Sequence, residues 1–121
     1  MTEKQIQNAI LREFATRQDL RLWRANVGAA KFGDQFVRFG FKGQADLTGL
    51  LYDGTRIEIE VKTKVGRLSK DQNNFWSMID RFNGIYILAR NVQDVYEALA
   101  RKGITKNGSA EQRKRNGNSR T

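Results

Sequence analysis

The chain has 121 residues, enough for one domain with a single hydrophobic core. It contains neither cysteine nor histidine, which excludes disulfide bonds, zinc–cysteine sites and imidazole bases. Any catalysis must therefore use carboxylates, lysine and water. The lack of cysteine favours a reducing compartment, no apolar run reaches membrane-spanning length, and the first ten residues do not resemble a signal peptide. We expect a cytoplasmic protein (in the host cytoplasm if it is viral) with no membrane partner.

The net charge is +9, and the pI is near 10.3. Residues 103–121 hold five basic residues and one acidic residue, a surplus of four. The remaining 17 basic and 12 acidic residues leave +5 on the rest of the chain. Both parts are basic, which favours a polyanionic partner such as nucleic acid. An ordinary soluble domain with a basic tail is the simpler alternative.

The first predicted element is a helix that begins at a capping box of Thr2 and Gln5 and ends near Thr16. Residues 20–27 are typical of a strand. Residues 28–43 are interrupted by glycines and carry four phenylalanines, and we expect a loop there with a short strand inside it.

Residues 46–51 and 55–62 are typical of a β-hairpin. A two-residue turn would mix apolar and charged side chains on both faces of this hairpin. A three-residue turn with a left-handed Gly54 instead separates them, because a shift of one residue exchanges the faces of a strand. This second register places Asp46 opposite Glu60.

The next helix begins at Ser69 and ends at Asn83-Gly84, with an apolar stripe of Phe75, Met78, Ile79 and Phe82. A buried strand at 85–89 follows, and then a helix that Asn91 caps and Gly103 closes. The predicted order is α-β-β-β-α-β-α. We expect one domain at 1–103 and a basic, disordered tail at 104–121, which has almost no apolar residues.

The hairpin brings together residues that could hold a divalent cation. Alternating apolar and charged residues are also what any half-exposed strand shows, and that is the main alternative. However, Asp46 faces Glu60 with Glu58 beside it, and opposed like charges destabilise a sheet. A Mg²⁺ or Mn²⁺ ion would resolve this conflict, because hard cations prefer oxygen ligands. The backbone carbonyl of Val61 could add another oxygen.

Lys62 shares a face with Glu60, because side chains repeat every two residues along a strand. An amine beside a cation site could orient or deprotonate a nucleophile, or stabilise the transition state of phosphoryl transfer. The alternative is a simple ion pair with Glu60 or Asp46, which contributes little to stability.

The hairpin residues belong to an ordered set of short motifs along the chain. They are Trp23-Arg24-x-Asn26-x-Gly28, Gly43-x-x-Asp46, Glu60-Val61-Lys62, Gly66-Arg67-Leu68-Ser69 and Gln72. This set resembles the VRR-NUC family of the PD-(D/E)XK nuclease superfamily, and in particular its small phage-type members and the archaeal Holliday junction resolvases. The likeness covers roughly residues 2–90, and Ala45 stands where the family usually has proline. The resemblance implies a restriction-endonuclease-like αβββαβ core, a mixed central sheet flanked by helices.

The resemblance also implies roles for single residues. Asp46 and Glu60 would be metal ligands, and Lys62 the catalytic lysine. A glutamate on the first helix should lie near the site, for which Glu3 fits best and Glu13 is second. Glu3 could instead simply stabilise the helix, because an acidic side chain interacts favourably with the positive end of the helix dipole. Gln72 would approach the site, although it can equally complete a capping box with Ser69.

Several polar and basic residues near this motif could contact DNA phosphates without reading bases. Each of them taken alone could equally be a solvated surface charge. They are Arg24, Asn26, Lys31, Arg38, Lys42, Lys64, Arg67 and Lys70.

The sequence thus predicts a Mg²⁺- or Mn²⁺-dependent endonuclease that leaves 5′-phosphate and 3′-hydroxyl ends, as the resemblance implies. The resemblance also implies a homodimer that cuts branched DNA such as four-way junctions, and a twofold dimer would present two sites to two strands. Three alternatives remain open: a non-catalytic nucleic-acid-binding module, an assembly protein with a basic tail, and a nicking or flap nuclease on linear DNA.

Overall fold

The computed structural model describes residues 1–25 and 28–106, with only the backbone at 28–32 and 36–39. Within these ranges the chain forms three helices and six strands. In chain order they are α1 (Glu3–Phe14), β1 (Leu20–Arg24), β2 (Gly28–Phe32), β3 (Gln35–Phe39), β4 (Leu47–Leu51), β5 (Arg56–Val61), α2 (Lys70–Arg81), β6 (Ile85–Ala89) and α3 (Val92–Arg101).

The central sheet has the strand order β1-β4-β5-β6. The β1–β4 and β4–β5 pairs are antiparallel, and β5 and β6 are parallel. This mixed sheet with its flanking helices confirms the predicted α/β class and the αβββαβ order. The register of the β4–β5 hairpin is also confirmed: Leu47 pairs with Ile59, and Gly54 has a φ of +90° in a three-residue turn.

The segment between β1 and β4 differs from the sequence prediction. The strand predicted at 20–27 is present as β1 up to Arg24, and the N–H of Ala25 continues its pairing with a hydrogen bond to the carbonyl of Asp46. Residues 26–27 lie outside the described part of the chain. The predicted loop contains a separate antiparallel hairpin of β2 and β3, which turns at Gly33 with a φ of +63°. A glycine at a two-residue turn lets the strands on either side of it pair locally as a hairpin.

The larger hydrophobic core lies on the face of the sheet that α1 and α3 cover. Ile57, Ile59 and Val61 point to this side from β5. They meet Ile10 and Phe14 of α1, along with residues of β6 and α3. The alternation of β5 therefore sends its other side chains, which include Glu58 and Glu60, to the opposite face.

The opposite face carries α2 and a smaller apolar cluster of Ala45, Phe75, Ile79 and Tyr86. The stripe predicted for α2 is wrong at Phe82, whose side chain is 74% exposed. Phe82 is the C-cap residue, with φ −97° and ψ 18°, so its side chain leaves the direction of the helical stripe.

The helix termini follow the predicted capping chemistry. Thr2 and Ser69 each form a capping box with the residue three positions on, and Asn91 caps α3. The first helix ends at Phe14, two residues before the predicted end near Thr16.

The packed part of the chain extends past Gly103. Ile104 is buried in the larger core, and its N–H donates to the carbonyl of Leu99. Most of the tail predicted at 104–121 lies outside the described residues. None of the helices in the described part of the chain combines the length and apolar character needed to cross a bilayer.

Candidate active site

Asp46 lies directly before β4, at the end of the hairpin opposite its turn. Continuing the β4–β5 register by one pair places it opposite Glu60, as predicted. Its Oδ2 accepts a hydrogen bond of 2.9 Å from the backbone N–H of Val61. The carboxylate of Asp46 therefore replaces the strand backbone as the partner of β5 at this position.

The backbone of Val61 presents its carbonyl to the same place. In an extended strand, the N–H and C=O of one residue point to the same neighbouring strand. Because the N–H of Val61 points at Asp46, its carbonyl oxygen lies on that edge as well. The three oxygen ligands predicted from the sequence, those of Asp46, Glu60 and Val61, thus lie at one end of the sheet.

Glu60 is the more deeply buried of the two carboxylates, with 2% of the residue exposed. Its Oε2 accepts a 3.0 Å hydrogen bond from Nε2 of Gln72 and lies 3.4 Å from Nζ of Lys62. Its Oε1 is buried and has no hydrogen-bond partner among the described residues. One oxygen is thus held in place while the other is free to bind a ligand.

Gln72 reaches Glu60 because of close packing at the beginning of α2. A Cβ added at Gly43, whose φ is +78°, would lie only 2.3 Å from the backbone of Asp71. Only glycine permits both this backbone conformation and this close approach. The loop that leads to Asp46 therefore rests directly against the first turn of α2.

Burial is the main reason that the pKa of Glu60 rises from 4.5 to about 7. The negative charge of Asp46 raises it further, and the ammonium group of Lys62 partly offsets both effects. A cation bound between the two carboxylates would reverse this balance by favouring their charged forms.

A second buried carboxylate, Glu58, lies two residues before Glu60 on the same face. Its Oε2 accepts hydrogen bonds from the hydroxyl of Thr48 and from Nε of Arg56, the latter at 3.0 Å. Burial raises the pKa of Glu58, and the two hydrogen bonds and the charge of Arg56 oppose the rise. Glu58 thus fixes the guanidinium of Arg56 on the surface of the sheet.

The donor set fits a hard divalent cation. Two carboxylates and one backbone carbonyl are the ligands that Mg²⁺ takes when it keeps several of its waters. The buried Oε1 of Glu60 has no hydrogen-bond partner among the described residues, so it is available to such an ion, and the Oε1 of Glu58 is buried without a partner in the same way. In the described ranges no three side chains of His, Cys, Asp or Glu cluster at a metal-binding distance.

The two first-helix glutamates predicted as site candidates, Glu3 and Glu13, lie in different surroundings from Asp46 and Glu60. Arg24, at the end of β1, hydrogen-bonds the side chains of Gln7 and Asn8, so the beginning of α1 lies near the strand end beside Asp46. Among the described residues, no hydrogen bond or ion pair joins Glu3 to the site. Glu13 accepts a hydrogen bond from Tyr96 on α3 instead.

The proposed DNA contacts are divided among several surfaces. Arg24 is engaged with α1, and Lys42 lies 3.6 Å from the carboxylate of Asp71. The stretch from Lys62 to the first residue of α2 exposes three basic residues, Lys64, Arg67 and Lys70. Asn26 lies outside the described residues, and for Lys31 and Arg38 only the backbone on β2 and β3 is described.

One residue that the sequence prediction did not include is Arg90, directly after β6. Its side chain donates to the carbonyl of Thr63, and its N–H donates 2.8 Å to Asp94 on α3. Arg90 therefore holds the chain that leaves Lys62. Its position after a short buried strand, beside the edge where β5 ends, was the only signal available in the sequence.

No protein-family model matches the chain, and no curated protein is similar to it at a significant level. The resemblance to the VRR-NUC family therefore rests on the motif residues alone.

Proposed function

We propose that the protein is a metal-dependent endonuclease that hydrolyses DNA phosphodiester bonds. The observation that carries this proposal is the convergence of Asp46, Glu60 and the Val61 carbonyl at one strand end, with Glu60 Oε1 buried and lacking a hydrogen-bond partner among the described residues. Two opposed carboxylates, of which Glu60 is buried, are costly in a sheet that binds no cation.

These three groups would hold Mg²⁺ or Mn²⁺. When bound, such an ion supplies Lewis-acid stabilisation of phosphate charge and makes hydroxide available near neutral pH. The protein contributes fixed geometry: the N–H of Val61 orients Asp46, and Gln72 orients Glu60 through its 3.0 Å hydrogen bond.

Lys62 supplies the positive charge at the reacting phosphate. Its side chain is 15% exposed, and its Nζ lies 3.4 Å from Glu60 Oε2, so the amine is held beside the carboxylates. From there it can donate to a non-bridging phosphate oxygen or to the attacking water. Glu3 would act only through water molecules, since among the described residues it has no direct contact with the site.

For the substrate, we propose branched DNA such as a four-way junction, cut by a homodimer. The basic segment that carries Lys64, Arg67 and Lys70 lies between two site residues, Lys62 and Gln72, where it could bind the phosphate backbone. The main alternative is a nucleic-acid-binding module without catalysis, which the net charge of +9 also favours.

The test is cleavage of a labelled four-way junction and a matched linear duplex in Mg²⁺, Mn²⁺ or EDTA. Wild type is compared with Glu60→Gln, Lys62→Gln and the control Lys102→Gln, which removes an exposed lysine next to α3. We expect metal-dependent cutting of the junction that only the first two variants abolish. Equal cutting of both DNAs would keep the chemistry and discard the junction preference. A folded wild type that binds DNA but cuts neither would favour the binding module.

A further inference from the structure

The described residues cover only part of the face of the sheet that carries Glu60. Trp23 on β1 pairs with Thr48 on β4, and Thr48 pairs with Glu58 on β5. Directly paired residues point to the same face, so Trp23 belongs to the same face as the carboxylates. The helix on this side, α2, packs over Tyr86 on β6, at the opposite edge of the sheet from β1.

An open pocket of about 320 Å³ lies on the uncovered part of this face. Trp23 forms one wall and remains 48% exposed, although large aromatic side chains are usually well buried. Arg56 forms the opposite wall, and Gln44 and Thr48 supply polar groups between them. The pocket therefore combines an aromatic face, a guanidinium and an amide.

Arg56 is held in position for a ligand. Its Nε donates to the buried carboxylate of Glu58, while the side chain stays 52% exposed. Among the described residues, no further hydrogen bond to its guanidinium is formed, so its terminal nitrogens can face an anion. An arginine fixed by a buried carboxylate loses less conformational entropy on binding a phosphate than a free one does.

We propose that this pocket binds an unpaired nucleobase stacked on Trp23, with Arg56 on a neighbouring phosphate. Trp23, Gln44, Thr48 and Arg56 will be called the stacking pocket. Stacking on an aromatic ring accepts any base, and a guanidinium binds phosphate without reading sequence. The overall charge of +9 complements a nucleic acid strand better than a second copy of the same basic chain.

The stacking pocket is close to the candidate active site. Thr48 is two residues from Asp46 and Arg56 is four residues from Glu60, which at about 3.3 Å per residue gives roughly 7 and 13 Å. A strand of duplex DNA advances about 3.4 Å per nucleotide, so the base would lie roughly two to four nucleotides from the phosphate at the site. This inference rests on the proposed function and adds a specificity: DNA with unpaired bases beside the cleaved bond.

The test measures binding without cleavage. Fluorescence anisotropy in EDTA compares a labelled forked duplex, which has unpaired arms, with a fully paired duplex of the same sequence. We expect Trp23→Ala to weaken binding to the fork about 10-fold, and Trp23→Phe to keep most of the affinity, since stacking on one aromatic ring contributes about that much. Binding to the paired duplex should change less than twofold. The control Phe82→Ala removes another exposed aromatic side chain outside the stacking pocket and should change neither.

A spectroscopic readout tests stacking directly. In a Trp76→Phe background, Trp23 is the remaining tryptophan, and we expect the fork to quench its emission while the paired duplex does not. The proposal is overturned if Trp23→Ala binds the fork as wild type does, or if it loses affinity equally for both DNAs. It is also overturned if Trp23→Ala converts a wild-type dimer to a monomer, since a second copy would then occupy this face.

The outcomes separate this inference from the nuclease proposal. Lys62→Gln should lose cleavage but keep the preference for the fork. If wild type fails to cut in either metal yet loses its fork preference on Trp23→Ala, the nuclease proposal fails and the stacking pocket is supported. If wild type cuts but Trp23→Ala still prefers the fork, the stacking pocket alone fails.

Discussion

The side-chain amide of Gln72 forms two hydrogen bonds at once, one within the capping box of α2 and one to Glu60. Its Oε1 accepts from the N–H of Ser69 at 2.9 Å and completes the capping box of α2. Its Nε2 donates to Glu60 Oε2 at 3.0 Å. The beginning of α2 is therefore coupled to the orientation of a candidate metal ligand, and the two roles considered for Gln72 coexist.

Substitutions at the two residues of this capping box should separate these roles. Ser69→Ala removes only the cap and should cost about 1 kcal/mol of unfolding free energy, with the cleavage rate nearly unchanged. Gln72→Ala should have a similar cost in stability but slow cleavage at least 10-fold, because Glu60 loses its orienting donor. Urea unfolding and single-turnover cleavage measure the two effects. Identical rates for both variants would show that Gln72 acts only as a helix cap.

The raised pKa of Glu60 makes stability depend on pH when no metal is present. The native state holds a proton on this carboxyl up to about pH 7, whereas the unfolded chain releases it near 4.5. The native state thus binds more protons between these values, and the unfolding free energy falls as pH rises from 4.5 to 7. The difference between the two pKa values corresponds to roughly 3 kcal/mol.

Glu60→Gln should reduce this pH dependence, because its amide keeps the shape of the side chain without a charge. The slope that remains should come from Glu58, whose pKa burial also raises. Urea unfolding in EDTA at pH 5, 6, 7 and 8 measures the slope. Glu97→Gln, on the exposed face of α3, is the matched control and should retain the slope of wild type. Equal slopes in wild type and Glu60→Gln would contradict the burial of a charged Glu60.

Features of the site that depend on residues close together in the sequence could be predicted, whereas contacts between elements far apart in the sequence could not. The Asp46–Glu60 register could be predicted, because apolar alternation and the three-residue turn at Gly54 are local constraints. The capping role of Gln72 could be predicted for the same reason. The contacts of Arg56 with Glu58 and of Arg90 with Thr63 could not, since they depend on how the elements pack. The β2–β3 hairpin was missed because glycines and aromatics in a short segment fit a loop equally well.

Adding metal should stabilise the folded protein through Asp46 and Glu60. At a Mn²⁺ or Mg²⁺ concentration 100 times the dissociation constant, the unfolding free energy should rise by about 2.7 kcal/mol. The increase should be largest above pH 7, where both carboxylates are charged. Asp46→Asn should abolish it, whereas Asp71→Asn, an exposed acid at the beginning of α2, should not. Thermal unfolding with EDTA and with metal gives the measurement, and an equal shift in all three proteins would indicate non-specific ion binding.

The close contact of Gly43 with α2 makes a final prediction about how Asp46 is positioned. Gly43 and Gly33 both have positive φ values, of +78° and +63°. A Cβ at Gly33 would meet nothing within 4 Å, whereas one at Gly43 would overlap the backbone of Asp71. Gly33→Ala should therefore cost about 1 kcal/mol from backbone strain alone. Gly43→Ala should cost at least about 2 kcal/mol more, because two backbone segments must move apart.

The same displacement would move Asp46 away from Glu60, so Gly43→Ala should also weaken metal binding while Gly33→Ala does not. Urea unfolding gives the two stabilities, and the metal-induced rise in melting temperature gives the binding. If Gly43→Ala loses no more stability than Gly33→Ala and binds metal as wild type does, then the loop before β4 does not need its contact with α2. Asp46 would in that case be held by its hydrogen bonds to Val61 and Ala25.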